Sequence, residues 1–297
     1  MSHFSRGTIR GYLGIASREK WLKVQSGSYF HTFLQQQNVA MQKRFFDRYL
    51  KGIDNGWENE PSVEVEIRAP GDTVKRIARS TAWPLPETQW TRLFLDAANR
   101  TLGPGQPHNM ASATYPALSE GVTFSTAPWA QDAEIVGPVK AKLFVSSSTR
   151  DMDIFATVCA FDPQGEEMTF IAAPEPKSPV TQGWLRVSQR KLDLRRSTEY
   201  LPYYPHDERQ PLEPGEIYEV DLEIWPMGLA LPKGSRLTLT IQGKDFERPG
   251  ATGPLRGVAW FTHDDPTDRP SELFAGTNTL HTGGQHQSYL LLPILPL

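Results

Sequence analysis

His31 is the residue from which chemistry could start. It lies six residues after Gln25, in the loop that follows the short apolar run Trp21-Leu22-Lys23-Val24. An imidazole placed soon after a strand can act as a general base. It takes the proton of a serine hydroxyl while a carboxylate orients its other nitrogen. Ser26 and Ser28 stand close by. A nucleophilic serine needs a sharp strand-to-helix turn, typically G-x-S-x-G, and neither serine sits in one. The plainer role for His31 is that of a loop residue leading into a helix.

Other side chains carry similar double readings. His263-Asp264-Asp265-Pro266 offers nitrogen and carboxylate donors for zinc or calcium, and equally makes a tight Asp-Pro turn. His281 and His286 flank Thr282-Gly283-Gly284, a turn that could bring two imidazoles together without a third ligand. Asp151-Met152-Asp153 could hold a cation, or cap the strand beginning at Ile154. Trp184, Trp225 and Trp260 could form a platform on which a sugar stacks, and aromatics are also the natural filler of a core. Cys159 shares an apolar run with Val158 and Phe161 and reads as a small buried residue. No cofactor and no metal site is expected from these groups.

The elements that must position them fall into two differently built parts. The chain has 297 residues, long enough for one large or two ordinary domains. Its first 57 residues contain no proline, and the remaining 240 contain all 25. Proline is hostile to helix interiors and central strands and suits turns and edges. The first part therefore reads as helix over Arg6–Ile15, strand over Trp21–Val24, and helix from an Asn38 N-cap to a Gly52 stop. After Pro61 the period becomes two. Val63, Val65 and Ile67 alternate with charged residues. Further strands are predicted over Arg92–Leu95, Val122–Ser125, Val139–Ser146, Ile154–Phe161, Trp184–Leu194, Ile217–Ile224, Arg236–Gln242, Thr277–His281 and Ser288–Leu292. Strands without crossover helices point to an antiparallel sandwich or barrel.

Several segments are also familiar as a set. Arg44-Phe45-Phe46-Asp47-Arg48-Tyr49-Leu50-Lys51-Gly52, running on to Asn55-Gly56-Trp57, is followed by Asp132-Ala133-Glu134-Ile135-Val136-Gly137-Pro138. Ser146-Ser147-Ser148-Thr149-Arg150-Asp151-Met152-Asp153, Gly183-Trp184-Leu185-Arg186-Val187-Ser188, Leu212-Glu213-Pro214-Gly215, Glu223-Ile224-Trp225-Pro226 and Leu280-His281-Thr282-Gly283 come after it. In order and spacing this series resembles the C-terminal portion of cocaine esterase/NonD-type hydrolases, relatives of the X-Pro dipeptidyl-peptidases. The resemblance implies a mainly β chain. Residues 62–297 would form a jelly-roll, galactose-binding-like sandwich, and residues 1–58 would be the last helix, strand and helix of an α/β-hydrolase domain. It also implies a serine hydrolase of dipeptidyl-peptidase or esterase type, whose sandwich shapes the substrate cleft.

The departures from that family set the functional expectation. In relatives a histidine commonly follows the last strand of the hydrolase domain, and here Gln25 stands there, with His31 as the weak substitute. No G-x-S-x-G precedes Trp21. The chain by itself is therefore expected to lack a complete triad and to be inactive. The expected partner is a separately encoded α/β-hydrolase portion, or a second copy of the chain. A chain starting at residue 62 is expected to be monomeric, because the apolar crowd of Phe45, Phe46, Tyr49 and Leu50 lies before it. The alternative is a non-catalytic sandwich that binds a carbohydrate or a protein. A net charge of −3 gives no drive toward nucleic acid or an anionic membrane. No apolar run approaches the roughly 20 residues of a membrane span, so a cytoplasmic protein is expected.

Overall fold

The computed structural model describes residues 5–69, 71, 73–171, 177–248 and 262–296. The N-terminal part holds helix α1 (Ser5–Gly14), strand β1 (Leu22–Val24), helix α2 (Tyr29–Leu34) and helix α3 (Gln36–Lys51). The rest is nearly all strand: β2 (Val63–Ala69), β3 (Thr73–Ser80), β4 (Gln89–Asp96), β5 (Thr101–Gly103), β6 (Ala111–Pro116), β7 (Val122–Ser125), β8 (Ala133–Ser147), β9 (Asp153–Phe161), β10 (Glu167–Met168), β11 (Thr181–Arg186), β12 (Tyr218–Leu231), β13 (Arg236–Gln242), β14 (Thr277–Thr282) and β15 (Tyr289–Leu295). One short helix, α4 (Ser271–Phe274), precedes β14.

Among these residues the fifteen strands form one hydrogen-bonded ladder in the order β1-β2-β12-β8-β15-β4-β5-β7-β13-β9-β10, with β3 on β2, β11 on β9, and β14 between β6 and β8. The ladder folds over at the β4–β5 turn, so two layers face each other. Leu143, Leu222 and Leu290 from one layer meet Phe124, Ile154, Val158 and Leu239 from the other in a single buried cluster. This is the mainly β sandwich that the period-two pattern predicts. Non-polar burial at roughly 25 cal/mol per Å² is its principal stabilising contribution.

Several boundaries differ from the sequence expectation, each for a physical reason. β8 begins at Ala133 rather than Val139, and β12 runs on to Leu231 rather than ending at Ile224. Pro138, Pro226 and Pro293 sit near one level of the sheet, where the register shifts between Ile224 and Met227 and between Leu291 and Ile294. Proline donates nothing to the ladder, and the strands bulge there instead of stopping. The strand predicted over Trp184–Leu194 ends at Arg186. A 3₁₀ turn over Val187–Gln189 follows, because buried Ser188 turns in to bond Asp151. β3 and β6 were not anticipated, since the polar alternation of β3 (Lys75, Arg76, Arg79) suits an exposed edge strand. Asn38 is not an N-cap. Gln35 holds that place, and Asn38 is buried one turn further on.

The N-terminal part does not stand apart from the sandwich. β1 pairs in parallel with β2, Leu22 to Val63 and Val24 to Val65, so a strand expected to lack a partner here continues the sheet. Ile9 of α1 and Leu22 join Val63, Val65, Ile67, Val136 and Ala230 in a second buried cluster. Arg6 Nε and Arg10 Nη2 donate to Glu223 Oε2 on β12 at 2.9 and 2.8 Å. Arg10 Nη2 also donates to Pro202 O at 2.7 Å.

Gly243 is a place where the fold admits no side chain. A Cβ there would lie 1.5 Å from Ala117 O, which is backbone and cannot swing aside. Gly243→Ala is expected to cost about 3 kcal/mol or more through forced backbone displacement. Gly215 has positive φ (+83°) and open space around it, so Gly215→Ala should cost only the left-handed backbone penalty of about 1–2 kcal/mol. Urea unfolding of the two variants checks the contrast, and equal midpoints would contradict it.

Candidate functional site

The site is built where β1 ends. In a parallel arrangement, binding and catalytic groups gather beyond the carboxyl ends of the strands, and β1 delivers Gln25, Ser26, Gly27 and Ser28 at that end. Gln25 Nε2 donates to Asn38 Oδ1 at 3.1 Å, and Asn38 Nδ2 donates to Thr32 O at 2.6 Å. Thr32 Oγ1 donates in turn to Ser26 O at 3.1 Å. Ser26 gives both its backbone N–H and its hydroxyl to Glu66 Oε2 on β2, at 2.6 and 2.7 Å. Gly27 turns the chain with φ +78°, and Ser28 O accepts the first backbone bonds of α2 from His31 and Thr32.

This network fixes a turn but performs no proton transfer of its own. The Gln25 amide has no basic nitrogen at neutral pH, and the Ser26 proton is directed to a carboxylate rather than an imidazole. His31 lies exposed on α2, and its ring has no hydrogen-bond partner among the described residues. The geometry therefore does not bring His31 together with Ser26 or Ser28. The partners that organise the turn, Asn38 and Glu66, were not recognisable from local spacing. Glu66 is 40 residues from Ser26.

The remaining candidates resolve individually. Asp151 is buried and accepts from Met152 N, from the backbone and hydroxyl of Ser188, and from Arg209. Asp153 is held by Arg186 and Arg269. Protein donors thus satisfy both carboxylates. Asp265 caps its own turn by accepting from Thr267, whose backbone N–H and then hydroxyl hold its carboxyl below the usual range. His263 Nδ1 lies 3.0 Å from Asp245 Oδ1, and that bond raises its pKa against the opposing effect of burial. His281 and His286 do come together, with ring centroids 5.8 Å apart, and His281 Nε2 meets Ser146 Oγ at 2.9 Å. Burial first, and His286 second, lower the His281 pKa. Among the described residues no group of three or more His, Cys, Asp or Glu side chains is disposed to hold a metal ion. Cys159 is buried in β9, and burial foremost pushes its thiol pKa upward. Trp184 and Trp225 meet at 5.0 Å, and Trp260 lies outside the described residues.

The largest unfinished surface lies beside the Gln25 turn. β1 pairs only with β2 among the described strands, so its other edge is open. Next to it, α2 and α3 present Phe33, Leu34, Val39, Phe46, Leu50 and Ile53 to solvent, with Phe33 62% and Leu50 76% exposed. Positions 39, 46, 50 and 53 fall on one stripe at 100° per residue. Phe45 points the other way, where Trp21, Tyr49 and Trp57 close around it at 4.9–6.2 Å and tie α3 to the start of β1. No helix among the described residues is long and apolar enough to cross a membrane.

Comparison with known proteins matches residues 55–291 to the X-Pro dipeptidyl-peptidase C-terminal non-catalytic domain. Cocaine esterase of Rhodococcus sp. (strain MB1 Bresler) is 24% identical over 302 residues, covering 89% of this chain and 47% of that protein. A CocE/NonD family hydrolase from Staphylococcus aureus superimposes with a TM-score of 0.88 at 30% identity, over 98% of this chain and 52% of that one. An α-amino acid ester hydrolase shares the fold at a TM-score of 0.55 and 16% identity, over 86% of this chain and 45% of that one. The chain spans about half the length of these relatives.

Proposed function

The chain belongs to the X-Pro dipeptidyl-peptidase C-terminal non-catalytic domain family of CocE/NonD-type hydrolases, and from that premise we propose that it completes a serine acyl hydrolase without itself carrying the nucleophile. Residues 62–297 form the sandwich that walls the substrate cleft. Residues 1–58 form the last strand and covering helices of the α/β-hydrolase portion. The substrates are peptides with a penultimate proline, or small carboxylic esters and acylated amides. The observation that carries this reading is the open parallel edge of β1 with the exposed apolar stripe of α3 beside it. Parallel sheets are covered by helices on both faces, and this stripe lacks the sheet it would cover.

In that assembly the hydrolase portion supplies the serine elbow, the oxyanion donors and the orienting carboxylate. This chain supplies the turn at Gln25–Ser28, held rigid by Asn38 and Glu66. His31 is the one imidazole on the segment following β1, and α2 would have to shift to present it as a base. The purified chain is expected to hydrolyse neither Xaa-Pro-anilides nor nitrophenyl esters above background. It is also expected to bind a polypeptide carrying the N-terminal half of the Staphylococcus aureus relative, by sedimentation. Turnover by the chain alone, titrated by a fluorophosphonate, would overturn the first statement and point to Ser26 or Ser28 with His31. Failure of the two halves to associate would overturn the second.

A further inference from the structure

A second concave site lies on the sandwich, away from the β1 turn. β11 alternates buried and less buried positions, and Trp184 takes an outward one, 40% exposed, so its indole is not core. Trp225 sits at the bulge of β12, where the register shifts between Ile224 and Met227. A bulge re-aims a side chain out of the ladder's alternation, and here the two indoles meet. Their planes cross at 58°, so they form a corner rather than a stack. Two cavities of about 370 and 290 Å³ open on either side of Trp184, and both are also lined by Arg186 and Gln189. These volumes match a small organic ligand of one or two rings.

The walls decide what kind of ligand. Every charged group the two lobes present is paired within the protein. Arg186 lies between Asp153 and Asp268, with bonds of 2.9–3.0 Å to both. Glu223 is 6% exposed and is held by Arg6 and Arg10. An ionic ligand would have to break one of these pairs. A purely apolar ligand would cover them and strand their remaining lone pairs and N–H groups. Gln189 sits between the lobes. Its carbonyl oxygen lies 3.2 Å from His206 Nδ1, and its amide nitrogen has no partner among the described residues. A neutral ring with one C–H face and several hydroxyls fits all of this. The C–H face lies on Trp184, and the hydroxyls bond to Gln189 and to the edges of the ion pairs.

We propose that the Trp184–Trp225 corner is a binding site for a neutral carbohydrate, recognised by stacking on Trp184 and by hydrogen bonds to Gln189. The site is independent of the proposed hydrolase assembly and needs no other polypeptide. The test titrates the full chain with glucose, galactose, a β-1,4-linked glucose hexamer and a β-1,4-linked N-acetylglucosamine trimer, followed by indole fluorescence and calorimetry. Binding of at least one sugar is expected. Trp184→Ala should weaken it roughly tenfold, Trp184→Phe should weaken it less, and both should leave the melting temperature unchanged. Gln189→Ala should weaken it without altering the fluorescence shift. Absence of binding by all four sugars at about 10 mM, a concentration that would reveal millimolar affinity, overturns the proposal. Binding that Trp184→Ala leaves intact overturns it as well. Benzoate and an Ala-Pro dipeptide are titrated in parallel, and preferential binding of either would assign the corner to an acyl or peptide group instead.

Discussion

The full chain is expected to self-associate, and replacing Val39, Phe46 and Leu50 with glutamate is expected to make it a monomer without lowering its melting temperature. The three side chains lie on one stripe of α3 and are largely exposed. Covering each is worth roughly 1.5–3 kcal/mol, which makes association of two such stripes favourable, and contiguous apolar patches of this kind drive it. The fold does not depend on them. α3 is anchored by Phe45 against Trp21 and Trp57, and by buried Asn38. Glutamate is a good helix former, so the helix survives the exchange. Light scattering across a concentration series reads the result. A wild-type chain that stays monodisperse and monomeric throughout would show that the stripe is not adhesive. Continued association of the triple variant would place the contact elsewhere. The same variant is expected to abolish binding to the hydrolase half, since both partners would use one surface.

The alternation of Val63, Val65 and Ile67 was sufficient to place β2, and the Pro-free start of the chain was sufficient to place α1 and α3. The longer strands were only half legible. Pro138, Pro226 and Pro293 each read as a terminator in isolation. Only the assembled sheet shows them gathered at one level, where a shared irregularity replaces the lost ladder bonds. β3 was hidden because an edge strand facing solvent can be polar at nearly every position. The site divides along the same line. Gln25, Ser26 and His31 are local in sequence and could be singled out. The groups that give them their roles are distant: Glu66 beneath Ser26, and Glu223 beneath Arg6 and Arg10, more than 200 residues away in sequence. Spacing carries no trace of such pairs. The resemblance to a hydrolase C-terminal portion supplied what periodicity could not, namely why α3 should have two apolar faces.

A chain beginning at residue 62 is expected to be less stable and more prone to aggregate than the full chain, the reverse of what the proline boundary suggests. Removing the first 61 residues strips β1 from β2, including the bond from Leu22 N to Ser62 O at 2.8 Å. An unpaired edge bearing Val63, Val65 and Ile67 is a template for pairing with another chain. The second buried cluster loses Ile9 and Leu22, roughly 1.5–3 kcal/mol each. Glu223 loses both guanidinium partners. A domain holds a net stability of only about 5–15 kcal/mol, so these losses remove a large fraction of it. Arg6→Ala with Arg10→Ala in the full chain should give an intermediate effect, because the carboxylate is abandoned while the apolar contacts remain. Thermal scans with simultaneous light scattering on the full chain, the double variant and residues 62–297 should rank the three in that order. If the shortest melts as high as the full chain and stays monomeric, α1 and β1 merely rest on the sandwich. The true boundary then lies between residues 58 and 62, as composition alone would place it.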